Sequence, residues 1–136
     1  MIKPIMKSEF FLRLPSADAG PDDAATGQDL LDTLHEHEHE CVGLAANMIG
    51  VRKRIICVKD GNRTLLMYNP QILEQVNAYQ TSEGCLSLTG ERPCTRYRRI
   101  KVEYLDENFV HRIKNFSGYT AEIIQHEIDH CNGIVI

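Results

Sequence analysis

The chain has 136 residues, 19 acidic and 15 basic, with a formal net charge of −4 at neutral pH, a balance that argues against a nucleic-acid surface. Its length suits one domain over residues 1–136, able to bury about two-thirds of the surface exposed when unfolded. Five cysteines, an odd number without paired spacing, argue against a disulfide framework and for a reducing, cytoplasmic setting.

Met1 to Leu14 is interrupted by Lys3, Lys7, Glu9 and Arg13, which fits neither a signal peptide nor a membrane span. A loop from Pro15 to Ala25 leads to Thr26-Gly27-Gln28-Asp29, a capping-box pattern that predicts a helix start with Leu30, Leu31 and Leu34 on the buried face. In His35-Glu36-His37-Glu38-His39-Glu40, alternate histidines on a helix point about 200° apart, so only His35 and His39 share a face. A solvated helix end is the reading we adopt. The run from Cys41 to Gly50 is small and apolar, and small side chains let another backbone approach.

Strands dominate the middle. Arg54 to Lys59 and Thr64 to Tyr68 flank Asp60-Gly61-Asn62-Arg63, a hairpin signal, and Ile72 to Val76 is a third strand. Glu83-Gly84-Cys85-Leu86-Ser87-Leu88 sets a cysteine after a glycine, as where a strand passes close to a cofactor. The basic cluster from Arg96 to Lys101 reads as the start of a strand with solvated arginines. Ile100 to Leu105 and Phe109 to Asn115 form a second hairpin about Asp106-Glu107-Asn108. The period then changes: Ile123, Ile124 and Ile128 follow helical spacing, Ser117 or Gly118 caps the start, and Gly133 stops a helix over Tyr119 to Cys131. The expected fold is α+β, with antiparallel sheets around a C-terminal metal-binding helix and one N-terminal helix.

That helix carries Gln125-His126-Glu127-Ile128-Asp129-His130. Histidines four residues apart lie about 40° from one another and one turn removed, so both can ligate one ion. Glu127, adjacent to that axis, is placed to take a proton from metal-bound water. A hydrolytic site of this kind needs a third protein ligand and one open position. Cys85 is the candidate.

The segments Gly43-Leu44-Ala45-Ala46, Glu83-Gly84-Cys85-Leu86-Ser87 and Gln125-His126-Glu127-Ile128-Asp129-His130, in this order, resemble the three motifs of the peptide deformylases, which remove the formyl group from nascent N-formylmethionyl chains. The resemblance covers about residues 42 to 133. It implies Cys85, His126 and His130 as metal ligands and Glu127 as general acid/base. The Leu86 N–H would face the formyl oxygen, Gly43 and Leu44 would pair with the substrate as an added strand, and Arg92 matches a position that helps hold the peptide. The ion implied is one divalent transition metal, iron(II), although thiolate and imidazole also suit zinc, nickel and cobalt. The implied partners are nascent N-formyl-Met peptides and a transient ribosome contact, with no nucleic acid and no membrane.

Two departures stand out. Cys41 replaces the first glycine of the family's G-x-G-L-A-A-x-Q pattern, and Met48 replaces its glutamine. That glutamine's amide donates to the oxyanion, whereas a thioether cannot donate. Another donor, such as an amide of Asn47, would then have to serve. Many deformylases also continue into a C-terminal helix, and this chain ends at Ile136, so a ribosome-docking role for such a helix has no support. A metallo-endopeptidase would share the histidine pair and glutamate but draw its third ligand from downstream, where only six residues follow. The competing reading is a weak or silent deformylase-like protein that keeps the metal and the peptide groove.

Overall fold

The first helical segment after the N-terminal residues is short: α1 spans Glu9–Leu12, with the Ser8 hydroxyl accepting from the Phe11 amide at 3.2 Å. It ends in Leu12, which is fully buried. In this computed structural model, which describes residues 1–136, helix α2 runs Ala24–Glu36 and begins two residues before the expected cap. A 3-10 turn, Pro21–Asp23, precedes it, and Gly20 N–H donates to Asp23 Oδ2 at 2.9 Å. Proline pre-sets a helical φ and the acidic pair suits the positive helix end, so helical geometry starts there. Leu30 and Leu34 are buried as expected, while Leu31 is only half-buried.

Gly27 has a packing role inside α2. A Cβ at that position would lie 2.1 Å from the Tyr68 hydroxyl, and Tyr68 is itself buried and stacked on Phe109 with ring centroids 4.3 Å apart. Gly27→Val is therefore expected to destabilise the fold by about 2 kcal/mol or more through overpacking. Urea denaturation measures this directly, and an unchanged midpoint would contradict it.

One antiparallel sheet has the order β1-β2-β3-β4-β5, formed by β1 (Gly43–Ala45), β2 (Ile55–Asp60), β3 (Arg63–Glu83), β4 (Arg92–Leu105) and β5 (His111–Ser117). The strands expected over 64–68 and 72–76 are parts of one, β3. Its pairing slips between Tyr68 and Gln71 and again between Ile72 and Glu74. Asn69 adopts φ 54° there, a left-handed conformation that asparagine tolerates, and its side chain pairs with both Ala19 N (2.7 Å) and Ala19 O (2.9 Å). Pro70 supplies no N–H where β3 leaves β2 and joins β4. A kinked strand thus serves two partners and reaches as far as Glu83.

Strand β4 likewise starts earlier than its hairpin suggested, at Arg92. The expected solvation of its arginines fails at Arg96, which is 4% exposed. Phe109, with φ 60°, lies in the turn, so β5 begins at His111. Asp106 holds that turn by accepting from Asn108 N and Val110 N.

Helix α3 spans Gly118–Cys131 and packs across β1, β2 and β4. Its buried Ala121, Ile123, Ile124 and Ile128 meet a core that includes Leu44, Ile56, Val58 and Val102. Gln125 hooks it to β4 through two bonds of 2.8 Å to Tyr97, accepting from N–H and donating to C=O as a neighbouring strand would. Beyond the helix, Gly133 turns at φ 74°, where a Cβ would fall 2.5 Å from Arg13 O. No helix is long and apolar enough to cross a membrane.

Candidate active site

Because α3 is hooked to β4 at Gln125 and stopped against Arg13 by the turn at Gly133, the inward face of its middle turn is fixed. His126 and His130 point their Nε2 atoms at one spot, 3.2 Å apart, and one atom from each of His126, Glu127 and His130 lies within 4.8 Å of the others. All three residues are buried. The expected face-sharing of the two histidines is thus what the helix produces. Cys85 lies outside this tightest group, beside His126 in a bend two residues past the end of β3. The strand therefore delivers the cysteine without containing it.

Sequence reasoning gave no role to Glu83, Arg96 or Asp129, yet they decide how His126 is held. His126 Nδ1–H donates to Glu83 Oε1 at 2.8 Å, which leaves Nε2 as the lone-pair nitrogen facing His130. Arg96 donates to the same carboxylate at 2.8 Å and to Asp129 at 2.7 Å. Burial pushes the Glu83 carboxyl up, but His126 and Arg96 more than offset this and hold it well below the usual carboxylate range. Glu83 and Asp129 both sit inside the sequence motifs, so their positions were visible. Their shared partner, 33 residues from Asp129, was hidden in a cluster that looked like a solvated strand.

A cleft of about 690 Å³ opens over these groups. Gly43, Met48, Cys85, Leu86, His126 and Glu127 all line it, whereas Leu44 and Arg92 do not. Leu44 is fully buried and offers a ligand only its main chain. Arg92 opens β4 opposite Glu83, with Nη1 buried and unpartnered. Gly43 must be small: a Cβ there would lie 2.7 Å from Ile123 Cγ2 and 3.0 Å from Glu127 Oε2. Strand β1 pairs only with β2, so its outer edge is free.

Met48 sits in the 3-10 turn Ala46–Ile49, buried, its sulfur accepting from Ala45 N–H at 3.5 Å. The Asn47 side chain is buried and commits one of its two Nδ2 hydrogens to His130 O at 2.9 Å. Its contribution is to tie this turn to α3. In the run His35 to Glu40, His35 Nδ1 lies 3.3 Å from Glu38 and His37 Nδ1 2.9 Å from Glu40, while Glu38, His39 and Glu40 line the rim of the cleft.

The family model for polypeptide deformylase matches residues 9–136. The chain belongs to the peptide deformylase family. A peptide deformylase of Clostridium beijerinckii is 51% identical over 136 residues, covering 100% of both chains. The solved peptide deformylase of Thermotoga maritima superposes with a TM-score of 0.89 at 28% identity, over 99% of this chain and 95% of that one. A Met-Ala-Ser-bound class I type b peptide deformylase from Acinetobacter baumannii gives 0.87 at 28% identity, over 99% and 96%.

Peptide deformylases are metal-dependent, and the residues present here fit an ion. Two nitrogens each 2.0–2.1 Å from a tetrahedral centre stand about 3.3 Å apart, against the 3.2 Å observed. Electrostatics agrees. Burial pulls His126 down, but the Cys85 thiol and Glu83 carboxylate outweigh it and raise the imidazole to about 10, so a metal ion would take the place of a proton on Nε2. Burial, followed by the charges of His126 and Arg96, lowers His130 to about 3 and keeps it a neutral donor. Burial also raises the Cys85 thiol, yet His126 and the amides of Leu88 and Ser87 bring it below its ordinary value. Glu127, raised by burial to about 7, has one oxygen with no partner.

Proposed function

We propose that this chain is a metal-dependent hydrolase that removes the N-formyl group from N-formylmethionyl peptides, releasing formate and a free amino terminus. The observation that carries this reading is the convergence of two imidazole Nε2 atoms at the foot of a cleft, beside a buried carboxylate with an unpartnered oxygen. Cys85, His126 and His130 would hold the ion, and Glu83 fixes the tautomer that lets His126 do so. A divalent ion bound there supplies a Lewis acid and a water acidified toward neutrality. Iron(II) is the ion we assign from the family, with zinc, nickel and cobalt compatible with the same donors.

The chain's own groups do the rest. Glu127 takes a proton as the formyl carbon is attacked and returns it to the departing amine. The Leu86 N–H faces the developing oxyanion. The free edge of β1, at Gly43 and Leu44, pairs with an extended peptide backbone, and Arg92, whose Nη1 is buried outside the cleft lining, would have to turn outward to hold a peptide. A peptide beginning with methionine is the product expected, in keeping with the Met-Ala-Ser held by the Acinetobacter baumannii relative. Nascent chains present such substrates in the cytoplasm, so a transient ribosome contact belongs to this reading.

The site is tested by metal content. Purified protein is expected to bind one transition-metal ion per chain, to lose it in Cys85→Ala, His126→Ala and His130→Ala, and to keep it in Glu127→Ala. Full stoichiometry in Cys85→Ala would remove the third ligand from this account.

Met48 is where a second reading, metal and peptide binding without turnover, finds support. Losing one oxyanion donor costs other hydrolases about 10²- to 10³-fold in turnover. Here the Leu86 amide remains, so a slower but active enzyme is expected. Met48→Gln should raise kcat/KM on a formyl-Met peptide by roughly tenfold at constant metal content. A neutral or lowered rate would show a site rebuilt around the thioether, which packs irregular space and excludes water.

A further inference from the structure

The bend Gly84–Gly90 carries both Cys85 and Leu86, yet the main-chain bonds of the turns and loops include none from these residues. Its ends touch, since a Cβ on Gly84 would lie 3.1 Å from Gly90 O. Within it, the amides of Ser87 and Leu88 face the Cys85 sulfur. A single side chain from elsewhere reaches the backbone of the bend: Lys7 Nζ donates to Leu86 O at 2.7 Å, across 79 residues of sequence. The residue before it, Met6, donates its amide to Met48 O, also at 2.7 Å. Lys3 N–H, bonded to Thr33 Oγ1 at 2.9 Å, anchors the same segment on α2.

Two consecutive residues therefore join the Met48 turn to the Cys85 bend, the two walls of the acyl site, and no other hydrogen bond connects them. The Leu86 carbonyl belongs to the same peptide unit as Ser87 N–H. A cation on that oxygen polarises the amide that faces the sulfur, because linked hydrogen bonds strengthen one another. Resting on the functional reading above, we propose that Lys7 is a positioning residue, which ties down the Cys85 bend and so fixes the Leu86 N–H and the Cys85 sulfur for hydrolysis. The tie matters more in this chain because Met48 leaves Leu86 N–H as the oxyanion donor of the protein.

The test compares zinc-loaded wild type with Lys7→Met, Lys7→Arg and Lys3→Met, by amide hydrogen exchange and by kinetics on formyl-Met-Ala-Ser. In Lys7→Met, exchange over residues 84–90 should quicken about tenfold while the rest of the chain is unchanged. The kcat should fall roughly tenfold with KM held within twofold, since small misplacement of a reacting group lowers turnover. Lys7→Arg should restore both, and Lys3→Met should alter neither. Exchange at 84–90 that is unchanged, or raised equally across the chain, overturns the proposal whatever the rates; local loosening with unchanged kcat overturns its catalytic half. A wild type unable to hydrolyse the peptide would instead overturn the functional reading, and local exchange would still decide whether Lys7 ties the bend.

Discussion

Glu127→Gln is expected to lower kcat on a formyl-Met peptide by about 10²- to 10⁴-fold, the range attributable to a positioned general acid/base, while the metal content stays at one ion per chain. The amide keeps the shape of the side chain but cannot accept the proton. Folding should not suffer. Glu127 is 4% exposed and one of its oxygens has no partner, so the wild-type carboxylate is a buried charge without full compensation, which is costly. A thermal midpoint equal to or above that of wild type is therefore expected beside the lost activity. A large fall in stability would mean that Glu127 supports the fold and that the lost activity says nothing of proton transfer.

The second large effect is at Arg96. Its guanidinium, with a side chain 5% exposed, spans Glu83 at 2.8 Å and Asp129 at 2.7 Å. Arg96→Met keeps most of the apolar stem, leaves Asp129 without its cation and leaves Glu83 with His126 alone. Breaking a buried pair in this way costs about 3–5 kcal/mol. Glu83 would also hold His126 less firmly, and loss of such outer support lowers metal affinity by about 10- to 100-fold. Denaturation and metal-chelator competition measure the two effects separately. Lys at this position should recover only part of either, because one ammonium cannot reproduce the forked guanidinium contacts. Unchanged metal affinity in Arg96→Met would show that Glu83 orients His126 unaided.

The parts of the site legible in the sequence were those set by local geometry. His126, Glu127 and His130 are related by helical period alone, and the helix forms where the period predicted it. The glycine at position 43 was readable as a close approach, which the structure places against Ile123 and Glu127. What escaped was non-local. Arg96 looked solvated because its neighbours alternate with charges, but the long β3 strand and α3 close over it from both sides. The length of β3 was itself hidden by Asn69 and Pro70, which normally end strands and here bend one. The start of α2 was misread for a related reason: Gly27 resembled part of a cap, whereas its lack of a side chain makes room for Tyr68. Met48 is buried beside the cleft, and the Asn47 side chain gives one of its two amide hydrogens to His130 O.

The most direct test of the central claim is formate release by the iron(II)-loaded protein from formyl-Met-Ala-Ser, with acetyl-Met-Ala-Ser as the comparison substrate. A small acyl site beneath a groove that pairs with the peptide backbone predicts stoichiometric formate, a free methionine amino terminus and little or no acetate. Saturable binding of the formyl peptide to the loaded protein without any formate would contradict this account and leave a metal-bearing peptide binder in its place.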